Sequence, residues 1–184
     1  MQTTFIKNVL PKDLHLSLVG TMKPLAKTFE YHIEMGRWRT RSGPNGILDQ
    51  YAEYLLPLAK RTFNSKTLLP SYSAFAHYEG VGAKLIPHKD DNACTYTIDM
   101  CLYQTEPWDL IIEGTPYTLQ ENEAVAFYGN EQKHWRNSFP NPEHQKVGMA
   151  FFHYVEPTHW SIKNGVDYIR VLRGEITENE YFNQ

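Results

Sequence analysis

The period of hydrophobic and polar positions changes near residue 70. Before it the spacing is helical. In GILDQYAEYLLPLAKRTF, Leu48, Tyr51, Leu55 and Leu58 fall at i, i+3, i+7 and i+10, one apolar stripe of an amphipathic helix. Asn45 stands in front as the expected cap, and Pro57 inside the pattern predicts a kink or a split. An earlier helix is predicted to open at Pro11-Lys12-Asp13, where proline suits a first turn and an acid suits the helix dipole. Between them lies GRWRTRSGPNG, read as a loop with Arg37, Arg39 and Arg41. It is either a solvated connector or a loop facing a carboxylate-bearing small substrate. From Ser71 to about Val155 the period falls to two, with recurring turn signals. SYSAFAHY, KLIPHKD, CTYTIDMCLY, two short strands around the glycine of WDLIIEGTPYTL, EAVAFYG and KVGMAFFHYV all read as strands. Short strands this closely spaced, without helices between them, predict an antiparallel sandwich or jelly roll. The tail, EPTHWSIKNGVDYIRVLRGEITENEYFNQ, is mixed in pattern and is expected to end in a short helix.

These patterns predict one domain over residues 1–184. Residues 1–70 form a helical N-terminal support, 71–155 the jelly-roll core and 156–184 a C-terminal extension. At 41% hydrophobic the chain has enough apolar side chain for a sizeable core, and 14% aromatics suits β structure. A net charge of −3 removes the basic footprint of a nucleic-acid binder, so nucleic acid is an unlikely partner. No apolar run approaches the roughly 18 residues of a membrane span, and MQTTFIKNVLPKD lacks a signal-peptide core; a cytoplasmic protein without a membrane partner is expected. Cys94 and Cys101, seven apart in what reads as one strand, would sit roughly 23 Å from each other and on opposite faces, as free thiols.

Among eight histidines, each structural by default, His88 stands out because Asp90 follows two residues later. The pair sits where a strand pattern ends in the polar run PHKDDNA. Residues i and i+2 of an extended chain share a face, so imidazole and carboxylate can bind one ion together. His134, just past the strand EAVAFYGN, qualifies as the third ligand. Two histidines and one carboxylate on one face of an octahedron suit non-haem Fe(II) and leave three positions open, while zinc competes for the same ligand types. Further on, Lys146 opens the strand KVGMAFFHYV. Alternation groups it with Gly148, Ala150 and Phe152, a cation and two small residues on an otherwise bulky strand. That arrangement suits a bound molecule with a distal carboxylate; a lysine reaching out to water is the plainer alternative.

Residues 73–155 resemble the core of the Fe(II)/2-oxoglutarate-dependent oxygenases, and most the prolyl 4-hydroxylase branch. HYEGVGAKLIPHKDDNACTYTIDMCLY is similar to that branch's Tyr-x-x-Gly turn, its strand into His-x-Asp and its aromatic-rich next strand. EAVAFYGNEQKHWRN and KVGMAFFHYV resemble its distal-histidine strand and its cosubstrate-cation strand. The resemblance implies an α+β, mainly β fold: a double-stranded β-helix (jelly roll) with the N-terminal helices packed on it. It implies His88, Asp90 and His134 as iron ligands and Lys146 as the partner of the 2-oxoglutarate C5 carboxylate, with Arg136 as rival cation. Tyr78 and Phe152 would line the pocket. The family's second C5 partner, a tyrosine, falls near Cys101, which leaves Thr97 or Tyr96 to stand in. The cosubstrates implied are 2-oxoglutarate and O2, with ascorbate as supporting reductant. The reaction implied is hydroxylation of an unactivated C–H of an amino acid, small metabolite or peptidyl proline, and the carboxylate of Asp90 argues against halogenation. An oxidative nucleobase demethylase, which would need an arginine pair on the strands after the distal histidine, and a metal-binding jelly roll without 2-oxoglutarate remain as alternatives. Oligomeric state is not addressed by the sequence.

Overall fold

A computed structural model describes residues 2–159. Two helices, α1 (Lys12–Leu25) and α2 (Ile47–Thr62), accompany eleven strands. These are β1 (Thr4–Ile6), β2 (Glu30–His32), β3 (Arg37–Arg41), β4 (Leu69–Glu79), β5 (Leu85–His88) and β6 (Tyr96–Gln104). They continue with β7 (Leu110–Ile112), β8 (Thr115–Tyr117), β9 (Ala124–Phe127), β10 (His134–Arg136) and β11 (Lys146–Val155). Seven strands form one sheet in the order β1-β9-β6-β11-β4-β3-β2, and four form a second in the order β5-β10-β7-β8. Every pairing is antiparallel. The fold is the jelly roll expected, mainly β with two helices on one side.

Burial follows three layers. Leu18 and Met22 of α1 and Leu48, Ala52 and Leu55 of α2 pack on Ile98, Met100, Ala150, Phe152 and Tyr154 of the large sheet. The opposite face of that sheet meets the small sheet through Ala76, Tyr78, Val125, Phe127, Val147 and Met149, facing Leu85, Leu110 and Ile112. A bulge between β6 and β11 at Gly148/Met149 turns Tyr103 toward the helix side. A Cβ on Gly148 would lie 2.3 Å from the Tyr103 ring, so the small residue there makes room for Tyr103.

Five local expectations are corrected. GRWRTRSGPNG is not all loop, because Arg37–Arg41 is strand β3, paired with β4 from Arg37↔Tyr78 to Arg41↔Ala74. The support region also supplies β1 and β2, which close the two edges of the large sheet. Helix α2 runs unbroken through Pro57: proline deprives the Glu53 carbonyl of its donor, but both residues are exposed and water can take that place. Asn45 does not cap α2; it takes a positive φ of 53° and the cap position falls to Gly46. Cys94 lies in a 3-10 turn (Asn92–Cys94) rather than in β6; both cysteines are buried and free. The expected C-terminal helix lies outside the described residues. Among the described residues, no helix is long and apolar enough to cross a membrane.

Candidate metal centre

Two strands of the small sheet deliver the histidines. His88 ends β5, His134 begins β10, and the two are register partners with ring centroids 4.3 Å apart. Beyond β5 the chain turns so that the Asp90 N–H donates to the Gly129 carbonyl at 2.9 Å. Asp90 Oδ1 then lies 3.3 Å from His88 Nε2 and 3.5 Å from His134 Nε2. The other ring nitrogens are pinned: His88 Nδ1 donates to Ile86 O at 2.8 Å and His134 Nδ1 to Gln132 O at 2.9 Å. Those bonds orient both rings with Nε2 toward the carboxylate, so that loss of the Nε2 proton would leave a lone pair there, the arrangement a metal-ligating histidine needs. Gly129 is required at its position, since a Cβ there would come within 2.5 Å of Asp90 Oδ2 and Thr97 Oγ1.

The three ligand atoms lie within 4.8 Å of one another. Burial by itself would raise the Asp90 carboxyl, but hydrogen bonds from His134 and His88 hold it well below the usual carboxylate range. Burial lowers His134, and the Asp90 carboxylate more than compensates, so its net shift is upward. Asp90, Cys94 and His153 form a second convergent group. There, burial pushes the Cys94 thiol well up, and a thiol that stays protonated is a poor ligand. His153 is lowered to about 4 by burial, and its Nδ1 lies 3.0 Å from Thr97 Oγ1. The chemistry of the His88, Asp90 and His134 donor set, two imidazoles and one carboxylate, fits Fe(II), which these three residues would hold.

A cavity opens in front of the cluster, lined by Arg37 and Arg39 of β3, Tyr72 and Tyr78 of β4, Leu85, Asp99 of β6, and Phe151 and His153 of β11, together with His88, Asp90 and His134. Of the residues expected at the pocket, Tyr78 lies there, with its hydroxyl accepting from Arg37 Nη1 at 3.2 Å. Thr97 is buried and supports the wall, bonded to His153 and to Cys94 O. Tyr96 points away, its hydroxyl on Glu156. Arg136 is buried on the inner side, its Nη1 on Trp108 O at 2.5 Å and its guanidinium over the Trp108 ring. Its charge acts on Asp99 and Tyr78, which stand on the cavity wall.

Of the residues expected at the site, Thr97 and Arg136 stand behind the cavity wall without lining it, and Lys146 and Phe152 are not brought to it. Alternation along β11 holds, but it is the face of Val147, Met149, Phe151 and His153 that looks inward. Lys146 sits on the other face, 48% exposed, with Nζ 3.1 Å from Glu79 Oε1, and Phe152 packs under the helices. Asp99 escaped the sequence reading, although Thr97, Asp99 and Cys101 share a face by simple alternation. Burial pushes its carboxyl up to about 7. Phe151, His153 and Tyr72 were missed for the same reason: which face of a strand turns inward is not written in its period.

The sequence matches no protein-family model and none of the curated proteins. Solved structures do match. The non-haem α-ketoglutarate-dependent epimerase SnoN from nogalamycin biosynthesis aligns with a TM-score of 0.67 at 10% identity, over 85% of this chain and 79% of that one. A Pseudomonas putida prolyl-4-hydroxylase aligns at 0.64 with 16% identity, over 82% and 91%. The viral collagen prolyl hydroxylase of Paramecium bursaria Chlorella virus-1, a 2-oxoglutarate complex, aligns at 0.58 with 14% identity, over 84% and 96%. The chain thus has the jelly-roll fold of the 2-oxoglutarate- and Fe(II)-dependent oxygenases, a group with prolyl hydroxylases among its members.

Proposed function

We propose that this protein is an Fe(II)- and 2-oxoglutarate-dependent dioxygenase that hydroxylates an unactivated C–H of an amino acid, small metabolite or peptidyl proline. The observation that carries this reading is the convergence of His88, Asp90 and His134 with both Nδ1 atoms pinned, at the head of a cavity on the oxygenase fold. Iron and 2-oxoglutarate would supply the oxidising chemistry, with O2 as oxidant and succinate and CO2 as products.

The protein's share is placement. His88 and His134 offer neutral Nε2 donors and Asp90 a charged oxygen, which together fix the ion at one end of the cavity. Of the two cations expected to meet the distal carboxylate of 2-oxoglutarate, Arg136 is on the inner side and Lys146 on the outer. Arg136, whose charge acts on Asp99 and Tyr78 of the cavity wall, is therefore assigned that contact from behind the wall. Leu85 and Phe151 give the cavity apolar walls that limit water at the reacting carbon. The cytoplasm is the compartment in which this reading places the protein.

The test is succinate formation by purified protein supplied with Fe(II), ascorbate and 2-oxoglutarate, over a panel of free amino acids and proline-containing peptides. Stimulated succinate release with a hydroxylated product is expected. Tight metal binding with no 2-oxoglutarate consumption under any addition would instead favour a jelly-roll metalloprotein of another chemistry.

A further inference from the structure

Strand β3 puts two guanidinium groups on the wall of the cavity that the metal cluster heads. Arg37, only 8% exposed, uses Nη1 on the Tyr78 hydroxyl, while its buried Nε has no hydrogen-bond partner. Arg39, two residues on and therefore on the same face, lines the same cavity and makes no hydrogen bond or ion pair among the described residues. A buried guanidinium N–H without an acceptor costs free energy unless something else supplies one. Arg37 is one of the residues that line the cavity, where an exogenous acceptor could be supplied.

Charge leads to the same conclusion. A ferrous ion with the Asp90 carboxylate and a 2-oxoglutarate dianion would come to net minus one, and Arg136 would balance that. Asp99 is the remaining carboxyl on the wall. The charges of Arg37 and Arg39 together exceed anything Asp99 can offset.

We infer that Arg37 and Arg39 form the subsite for an oxyanion carried by the substrate itself, so that the protein acts on a small acid, with a carboxylate or phosphate held on β3 and its oxidised carbon toward His88 and His134. Planar guanidinium groups bind such oxyanions with two N–H donors at once, which suits a pair spaced along one strand. The inference rests on the dioxygenase reading and narrows it: a neutral peptidyl proline is disfavoured and a free amino acid or other small anion favoured.

The experiment uses the whole chain loaded with Mn(II) and 2-oxoglutarate without oxygen, titrated calorimetrically with free L-amino acids, their carboxamides and small phosphomonoesters. Succinate release is then measured with Fe(II) in air for the same panel. Binding and stimulation confined to oxyanion-bearing members are expected, and the acid and phosphate arms tell the two sources apart. In Arg39→Gln the dissociation constant for the responding anion should rise about 10- to 150-fold, the range of one charge-assisted contact. Mn(II) affinity and 2-oxoglutarate affinity should both stay within about threefold. Arg39→Lys, which keeps the charge and loses the fork, should fall between. Arg39 is half-buried and does not depend on Arg37→Gln, whose deeper site makes misfolding a risk.

Equal response to an acid and its carboxamide, binding of no panel anion at millimolar concentration, or an Arg39→Gln defect in 2-oxoglutarate affinity instead of the second ligand's would each overturn the inference. Failure of the dioxygenase reading looks different, since the wild type would then consume no 2-oxoglutarate at all.

Discussion

Asp90 and Glu79 stand on opposite sides of the large sheet, each held among basic side chains, and the two sites show what burial does not decide. Their side chains are almost equally exposed, 17% and 20%. In both, burial would raise the carboxyl and neighbouring donors lower it instead. The partners differ. Glu79 meets Lys27 at 2.8 Å, His77 at 2.9 Å and Lys146 at 3.1 Å. Two ammonium groups give it permanent positive charge and offer no lone pair to a metal. Asp90 meets only imidazoles, at slightly longer range, with their Nε2 atoms turned toward it. Such groups can surrender a proton and bind an ion. Glu79 is already neutralised by lysine, whereas Asp90 belongs to a donor set that could hold a divalent cation.

The largest expected effect lies on the Asp90 side. Asp90→Ala and His134→Ala should each weaken Mn(II) binding at least 100-fold, beyond the 10–100-fold typical of losing a group that only supports a ligand. Metal-induced stabilisation should vanish with it, a shift in thermal midpoint that calorimetry reads directly. Glu79→Ala should leave Mn(II) binding alone; weakening there would erase the contrast.

Next in size is the cosubstrate. Arg136→Gln should raise the 2-oxoglutarate constant about 10- to 150-fold, as expected for one charge-assisted contact. Lys146→Ala should not change it, because that ammonium faces Glu79 on the other side of the sheet. The reverse pattern in succinate kinetics would return the role to Lys146.

Gly129→Ala sharpens the Asp90 side by a different route. The added methyl would meet Asp90 Oδ2, Thr97 Oγ1 and the Cys94 carbonyl, all at 2.5–2.6 Å. A cost of about 1–3 kcal/mol in denaturant unfolding is expected for such overpacking, with weaker metal binding.

The smallest effect is a pH dependence at Glu79. Its carboxyl is lowered to about 2 in the folded protein against 4.5 as its ordinary value. A depressed acid contributes stability above the higher value and loses it as pH falls toward the lower. Wild type should therefore lose on the order of 1–2 kcal/mol between about pH 4.5 and 2, after solvent screening is allowed for, and Glu79→Gln should lose that much less.

The convergence of His88, Asp90 and His134 was legible in the sequence because its signal is local: two residues of fixed spacing at a strand end, and a histidine bordering an apolar strand. Lys146 was misplaced because both faces of β11 are apolar, one under helices and one toward the small sheet, so the period could not say which turned inward. The small residues read as room for a ligand are room for Tyr103. Strand β3 went unseen because RWRTR alternates arginine with tryptophan and threonine; its inward face lines a polar cavity instead of a core, so hydrophobic period carries no trace of it. Asp99 was hidden by its apolar neighbours. The jelly roll itself needed only many short strands with turns between them, and those were plain.

The strand nearest the end of the described chain lies in the middle of the large sheet, between β4 and β6. During synthesis, residues up to 145 can assemble only two partial sheets with facing, unpaired edges. Closure waits for β11, whose partners in β4 lie far back in the chain, so contact order is high and folding is expected to be slow. A ribosome adding about 5–20 residues per second would hold those edges open for seconds. The cavity wall formed by Phe151 and His153 arrives with the same strand. In the cell, the wall of this cavity would be completed at nearly the moment the large sheet becomes able to close.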